Sequence, residues 1–281
     1  MSTAFVLSGG AALGAVQVGM LQALHDQGVH ADQVVGTSVG AVNAAWVAGD
    51  PNGERLDELE SLWRSLRRGQ VFPAGRTALV GLLGRRSSLV DQRPLRQFLT
   101  KHIRYNNIED ADLPLHIIAT DVLSGNEVRI SKGPIVDAVL ASAAIPGVFA
   151  PVEIGGRAYM DGGVVNNSAI SHAVATGATT VYVLPTGWSC SLERPPPTAL
   201  GMALHGLTLL VHHRLANDVD HYRTSVDVRV VPPPCPIRVG PADFSHAGEL
   251  IAAGRASAAA WLEHQRDVGT GVLRAHDHAM M

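Results

Sequence analysis

The amino-acid sequence predicts an α/β protein with three layers, in which a mostly parallel central sheet lies between two layers of helices. Short apolar runs of strand length alternate with stretches whose apolar residues recur at helical spacing. Alternating buried strands and helices form sheets that are covered on both faces. The chain has 281 residues, 46% of them hydrophobic, which is enough for a large core. Because no clean boundary interrupts this pattern, we expect a single domain over residues 1–281.

The first two units have the same form, which is a short strand, a glycine turn and a helix. Residues 4–7 are a buried strand candidate, and Ser8-Gly9-Gly10 follow them. A helical pattern then leads to a stop at Gly28. Residues 34–49 repeat the scheme around Ser38.

The later elements follow the same two periodicities. Further strands are predicted at residues 115–120, 127–130, 158–160, 179–184 and 226–231. Further helices are predicted at residues 54–68, 135–141, 167–176, 200–215 and 247–263. Proline-rich stretches at 195–197 and 232–236 are predicted to be stiff links.

The stretch VVGTSVG, residues 34–40, places one serine between two glycines at the end of an apolar run. If a strand ends and a helix begins here, side chains at Gly36 and Gly40 would clash with the tight backbone, and the Ser38 hydroxyl would face a cleft. This is the G-x-S-x-G pattern of a nucleophile elbow. The helix N-terminus favours the negative charge that develops when an ester is attacked. A plain glycine–serine turn is the alternative interpretation.

A serine nucleophile also needs donors that hold an oxyanion. In SGGAALGA, residues Gly9, Gly10 and Ala11 lie between a predicted strand and a helix that opens near Gly14. Backbone N–H groups at such a position form an anion site. A dinucleotide-binding loop is the alternative, but its G-x-G-x-x-G pattern requires glycine where this chain has Ala11.

The candidate base is Asp161, which follows a short predicted strand and precedes Gly162 and Gly163. Its carboxylate can therefore lie at the edge of the sheet with little steric cover. An ordinary Asp-Gly turn is the alternative. Among the 13 histidines, the adjacent His212 and His213 point in different directions on a helix, which favours the surface over a metal site.

These motifs, in this order and spacing, resemble the patatin-like phospholipase family. They are SGGAALGA, then GTSVG, then ASAAIPGVFAPVEIGGRAYMDGG followed by NN. The resemblance implies the patatin-like fold and hydrolysis of lipid acyl esters. It implies a serine–aspartate dyad, with Ser38 as nucleophile and Asp161 as base, and an oxyanion loop at Gly9-Gly10-Ala11. The acyl-enzyme is released to water, or to another alcohol in a transacylase, and the chemistry needs no metal or cofactor.

The chain departs from the family's pattern in its glycine loop and after its second asparagine. Ala11 and Leu13 stand where the family usually has glycine and a lysine or arginine, and Ala169 stands where proline is common. An alanine keeps its N–H but restricts the loop if its φ must be positive. A catalytically weak, lipid-binding relative is therefore one alternative function.

A second alternative is an α/β-hydrolase esterase with a Ser-Asp-His triad. The chain order allows it, because His172 and other histidines follow Asp161. That fold normally builds several strands before its nucleophile elbow, whereas only one clear strand precedes Ser38.

Ten of the 22 lysines and arginines lie within residues 64–104, interleaved with apolar pieces. We interpret this segment as a mobile, basic cap that covers the Ser38 cleft and faces anionic lipid headgroups. The alternative is a solvated face with a loop folded over the core.

The remaining features concern partners and location. The net charge of −3 gives no indication of nucleic-acid binding, and no feature supports a homo-oligomer. Cys190 and Cys235 are too few for a disulfide framework, which is compatible with a reducing compartment. The N-terminal apolar stretch lacks a preceding cation and is broken by glycines, unlike a signal peptide. No apolar run reaches transmembrane length. We expect a cytoplasmic protein whose membrane contact, if any, is peripheral.

Overall fold

The computed structural model describes residues 2–73, 88–187 and 195–268. Within them one sheet contains β1 (Thr3–Leu7), β2 (Gln33–Thr37), β3 (Leu115–Asp121), β4 (Glu127–Ile130), β5 (Val152–Ile154), β6 (Arg157–Asp161), β7 (Thr180–Leu184) and β8 (Asp227–Val230). The order is β5-β6-β3-β2-β1-β7-β8, with β4 paired to β3 off this path. The five neighbouring strands β3, β2, β1, β7 and β8 are parallel to one another. Strands β4, β5 and β6 are antiparallel to the strands they pair with. The predicted α/β fold with a mostly parallel sheet is confirmed.

Helices cover both faces of this sheet. They are α1 (Ala15–Asp26), α2 (Val39–Ala48), α3 (Leu56–Ser65), α4 (Arg68–Val71), α5 (Arg93–His102), α6 (Ile135–Ser142), α7 (Ile170–Ala175), α8 (Ala199–Tyr222) and α9 (Ala247–Val268). Short 3₁₀ turns lie at Ala11–Gly14, Ile108–Asp110 and Gly162–Val164. In β1, Phe5 and Leu7 join the larger hydrophobic cluster, whereas Ala4 and Val6 join a smaller cluster with α7 and α8. This alternation places one core on each face of the sheet.

One edge of β3 carries two strands, placed end to end. Ile117 and Ile118 pair with both β2 and β4, so β2 and β4 lie on opposite edges of β3. Ala119 and Thr120 pair with both β4 and β6, so β6 shares the edge that β2 occupies. Because β2 is parallel and β6 antiparallel to β3, their carboxyl ends meet there.

The basic segment at residues 64–104 is more ordered than the sequence analysis expected. It contains α4 and α5, neither of which was predicted. Helix α5 has Pro94 in its first turn, where a missing N–H costs nothing, and buries Leu95 and Leu99. Residues 74–87, with three of the segment's cations, lie outside the described residues, so the cap remains a prediction.

The described arginines of this segment are largely matched by carboxylates. The pairs are Arg64 with Glu60, Arg93 with Asp91, Arg96 with Asp137 and Arg104 with Glu58. Such exposed pairs add little stability. They do reduce the positive charge that this part of the segment can offer to a lipid surface.

Two further findings concern location. Within the described ranges, no helix has both the length and the hydropathy needed to cross a membrane. Cys235 is disulfide-bonded. Disulfides persist mainly in oxidising environments, so this bond gives no support to the reducing compartment with which the count of two cysteines was compatible.

The close packing of α1 against α9 provides a stability test. A Cβ added at Gly19 of α1 would overlap the carbonyl oxygen of Ile251 in α9. We expect Gly19→Ala to lower the free energy of unfolding by about 1–3 kcal/mol, because the two backbones must separate. Urea unfolding measures this change.

Gly206 in α8 provides the matched control, because a Cβ added there has no neighbour within 4 Å. We expect Gly206→Ala to raise the free energy of unfolding by about 0.5–1 kcal/mol through helix propensity. A Gly19→Ala variant as stable as the wild type would show that the two helices are not in backbone contact.

Candidate active site

Ser38 lies on a strained turn between β2 and α2. Its backbone has φ 56° and ψ −124°, a conformation that residues with side chains rarely adopt. The neighbouring glycines make this turn possible. A Cβ at Gly36 would lie 2.6 Å from Ala41 Cα, and one at Gly40 would overlap the carbonyl oxygen of Leu7. The helix therefore packs directly on the sheet, and the serine side chain is directed away from it.

Ser38 and Asp161 are joined by a short hydrogen bond. Ser38 Oγ donates to Asp161 Oδ2 at 2.6 Å, and the Gly163 N–H donates to Asp161 Oδ1 at 2.7 Å. Both side chains are buried, with 7% of Ser38 and 5% of Asp161 exposed. Burial raises the pKa of Asp161 to about 6, although the hydrogen bonds from Ser38 and Gly163 act to lower it. A carboxylate with this pKa is a stronger base than an ordinary aspartate.

Gly162 explains how the base reaches this position. It follows β6 at the point where that strand meets β2, and a Cβ there would overlap the carbonyl oxygen of Ile118. Gly163 is similarly confined, since its Cβ would lie 2.8 Å from Asn167 Oδ1. The two glycines let the chain turn beside β3 while Asp161 stays aimed at Ser38.

Ser142 at the end of α6 holds the backbone of the elbow, a role that the sequence analysis did not assign. The Ser38 N–H donates to Ser142 Oγ at 2.8 Å, and the Ser142 hydroxyl donates to the Ile118 carbonyl at 2.5 Å. This chain of hydrogen bonds ties the turn to both α6 and β3. Ser142 belongs to the stretch ASAAIP, part of the motif that carries the family resemblance, and this motif is the signal in the sequence that points to it.

The glycine loop lies beside Ser38 and is held from two sides. The Gly9 N–H donates to Asn167 Oδ1 at 3.2 Å, and the Thr186 hydroxyl donates to the Gly9 carbonyl at 2.7 Å. Within the described part of the chain, the N–H groups of Gly10 and Ala11 have no hydrogen-bond acceptor. The loop thus offers two unpaired donors near the serine.

The first helical turn after the loop fits closely against the elbow. A Cβ at Gly14 would lie 2.6 Å from Val39 of α2, and one at Gly9 would lie 3.0 Å from Ser38 Cβ. Ala11 has φ 51°, so the departure from the family's glycine does place an alanine in a left-handed conformation.

An apolar cavity of about 80 Å³ opens at Ser38 and Ala11. Its walls include Val42 from α2, Phe72 from the basic segment and Leu99 from α5. The volume is several times the space that one buried water molecule needs. The cavity can therefore hold part of a hydrocarbon chain beside the serine hydroxyl.

The described histidines do not complete a triad. None of them hydrogen-bonds to Ser38 or Asp161, and His172 instead lies 3.4 Å from Glu127 Oε1. His102 lies in the cavity wall, where burial lowers its pKa. No group of three or more metal-ligating side chains occurs in the described ranges. The geometry therefore favours a pair, serine and aspartate, over the triad alternative.

Comparison with known proteins adds independent findings. A family model described as patatin-like phospholipase matches residues 5–174. An uncharacterized NTE family protein of Mycobacterium tuberculosis is 33% identical over 165 residues, which are 58% of this chain and 43% of the relative. Lysophospholipase NTE1 of Phaeosphaeria nodorum is 28% identical, over 73% of this chain and 13% of its own length.

The chain thus spans less than half the length of these curated relatives. Among solved structures, VipD from Legionella pneumophila aligns with a TM-score of 0.44 and 14% sequence identity. That alignment covers 90% of this chain and 67% of VipD.

The raised pKa of Asp161 has a consequence for stability that needs no substrate. The folded pKa of about 6 exceeds the ordinary value of 3.8, so the folded protein holds this proton over a pH window in which the unfolded chain has lost it. The wild type should lose up to about 3 kcal/mol of stability relative to Asp161→Asn as pH rises from about 4 through 6. Urea unfolding of both proteins across this window measures the difference. A constant difference would mean that Asp161 titrates normally.

The positive φ of Ala11 gives a second stability test. Replacing it with glycine removes the left-handed strain, so we expect Ala11→Gly to raise the free energy of unfolding by up to about 1 kcal/mol. The control is Ala12→Gly, at a neighbouring residue without a positive φ, which should lower it by about 1 kcal/mol. Thermal or urea unfolding separates the two. Destabilisation by both substitutions would exclude strain at Ala11.

Proposed function

The chain belongs to the patatin-like phospholipase family, and from this premise we propose that it is a lipid acyl hydrolase that uses Ser38 as nucleophile and Asp161 as base. The observation that carries the proposal is the 2.6 Å hydrogen bond between Ser38 Oγ and the buried Asp161 carboxylate. No described histidine stands between them, so the proton transfer is direct.

In the first step, Ser38 Oγ attacks the carbonyl carbon of the ester while Asp161 Oδ2 takes the serine proton. The carbonyl oxygen becomes an oxyanion, which the N–H groups of Gly10 and Ala11 stabilise. The bond from the carbonyl carbon to the leaving oxygen then breaks, and that oxygen takes the proton from Asp161. The products of this step are the free alcohol and an ester between the acyl group and Ser38.

In the second step, water attacks the acyl-enzyme and gives its proton to Asp161. The same oxyanion donors act again, Ser38 regains a proton, and the fatty acid leaves. An alcohol in place of water would make the reaction an acyl transfer. The Gly163 N–H occupies Asp161 Oδ1 throughout, which leaves Oδ2 as the oxygen that exchanges the proton.

The cavity supports a lipid substrate with one acyl chain beside Ser38. Its wall is hydrocarbon from several helices, which excludes water from an acyl group beside Ser38. A relative over 73% of this chain is named a lysophospholipase. We therefore infer that a lysophospholipid, which has a single acyl chain, is the preferred substrate class.

The direct test is hydrolysis of a short soluble ester and of lysophosphatidylcholine by the wild type, Ser38→Ala and Asp161→Asn, with a metal chelator present. We expect chelator-resistant activity in the wild type and losses of at least about 10³-fold in both variants, since each removes half of the proton-transfer pair.

His172→Gln provides the matched control, because His172 follows Asp161 in the chain but pairs with Glu127. It should keep its activity. Loss of activity in this variant, or full activity in Asp161→Asn, would favour the triad alternative. A folded wild type that hydrolyses neither substrate would contradict the proposal and favour the lipid-binding alternative.

A further inference from the structure

The exposed large apolar side chains of the described residues are concentrated on one side of the molecule. They are Leu123, Val164, Met202, Leu207, Leu209 and Leu210, and we call this set the apolar rim. Leu123 follows the carboxyl end of β3 by two residues, and Val164 follows Asp161 by three. Both lie near the carboxyl ends of the parallel strands, where Ser38 also lies. The other four belong to the first half of α8.

Helix α8 brings its apolar residues to the same end of the parallel strands. It connects the carboxyl end of β7 to the amino end of β8, two parallel neighbours, so it runs antiparallel to the strands. Its second half packs on the smaller hydrophobic cluster through Leu215, Val219 and Tyr222. A five-residue strand spans about 17 Å, which corresponds to about 11 residues of helix. The first half of α8 therefore extends beyond the sheet at its Ser38 end.

The Leu123 turn is held in place although its leucine is exposed. Asp121 Oδ1 accepts hydrogen bonds from the Leu123 N–H at 3.1 Å and the Ser124 N–H at 2.9 Å. The Ser124 hydroxyl donates to the same oxygen. The turn thus presents a side chain that is 92% exposed on an ordered backbone. Leu123 thus adds a fixed apolar side chain to the exposed set on α8, and it is such a set, not one leucine, that indicates an interaction surface.

The charge of the rim suits a lipid surface. The sequence from residue 195 to residue 217 contains no aspartate or glutamate. Its one cation among lysine and arginine, Arg214, lies in the second half of α8 and pairs with Asp218 at 2.8 Å. Anionic headgroups therefore meet no carboxylate repulsion over the first half of α8. A rigid protein partner or a second copy seated on the rim would also cover the end where Ser38 lies, whereas a lipid surface supplies the substrate there.

We propose that the apolar rim docks on the surface of a lipid bilayer or micelle, with the carboxyl ends of the parallel strands, where Ser38 lies, facing the lipid. The inference rests on the proposed function, because a lipid substrate is the reason for docking at this end. It differs from the cap interpretation of residues 64–104, whose described arginines are largely paired.

The test introduces charge into the rim at Leu207→Glu/Leu210→Glu, two exposed positions of α8 that are outside the catalytic site. Flotation with vesicles of phosphatidylcholine and phosphatidylglycerol measures binding without any turnover. We expect the bound fraction to fall at least about tenfold, because apolar insertion is lost and charge repulsion is added. Hydrolysis of a soluble short-chain ester should stay within about twofold of the wild type.

The matched control is Asn217→Glu/His221→Glu, which adds the same charges to exposed positions on the second half of α8. It should bind vesicles like the wild type. Leu123→Glu, on a separate element of the rim, should weaken binding as well. Wild-type binding by the rim variant, or equal loss in rim and control variants, would overturn the proposal. So would a wild-type dimer that the rim substitutions convert to monomers.

Failure of the proposed function gives a different result. A wild type that binds vesicles through the rim but hydrolyses no ester would refute the hydrolase and leave the docking surface standing. A wild type that hydrolyses the soluble ester but does not float with vesicles would refute the rim alone.

Discussion

The structure depends on one constraint, which is that β2 and β6 share an edge of β3. Neither strand can extend further along that edge, because each ends where the other ends. Thr37 pairs with Ile118 and Asp161 pairs with Ala119, so consecutive residues of β3 set the spacing. Residues 38 and 161 are thus brought together by backbone pairing of the strands that precede and contain them. Their short hydrogen bond follows from the register of the sheet.

The same constraint concentrates strain and polar burial at this junction. Ser38 and Ala11 are the non-glycine residues with positive φ in the described ranges, and both line the same cavity. Such conformations cost about 1–3 kcal/mol each and persist only where surrounding packing fixes them. Here the fixing groups are backbone atoms of β1, β3 and α2, reached through glycines that have no Cβ. Burial of apolar side chains in the two hydrophobic clusters, one on each face of the sheet, stabilises the fold and offsets the cost of the two strained residues.

Much of this architecture could be predicted from the sequence, for local reasons. The two N-terminal strand–turn–helix units are visible because each has a buried strand and a glycine turn within about 25 residues. The turn at Ser38 needs small residues on both sides, and the sequence shows them as Gly36 and Gly40. Helix α5 was missed because the glycines at 75, 81 and 84 make its neighbourhood read as irregular. The hydrogen bonds of Ser142, Asn167 and Thr186 were not predicted, although the first two residues lie in the quoted motifs, because each bond joins segments that are distant in the chain.

A serine–aspartate dyad without a histidine depends on the exclusion of water from its carboxylate, and this requirement connects the base to an apolar substrate. A solvated aspartate has a pKa near 3.8 and accepts a serine proton poorly. Asp161 gains basicity because its carboxylate is taken out of water, and the apolar cavity that Ser38 lines keeps water away from the hydroxyl that donates to it. An acyl chain that fills the cavity completes that exclusion, whereas a small polar ester leaves room for water. On this reasoning, the feature that binds hydrocarbon also tunes the base, so preference for lipid and catalytic power are expected to change together.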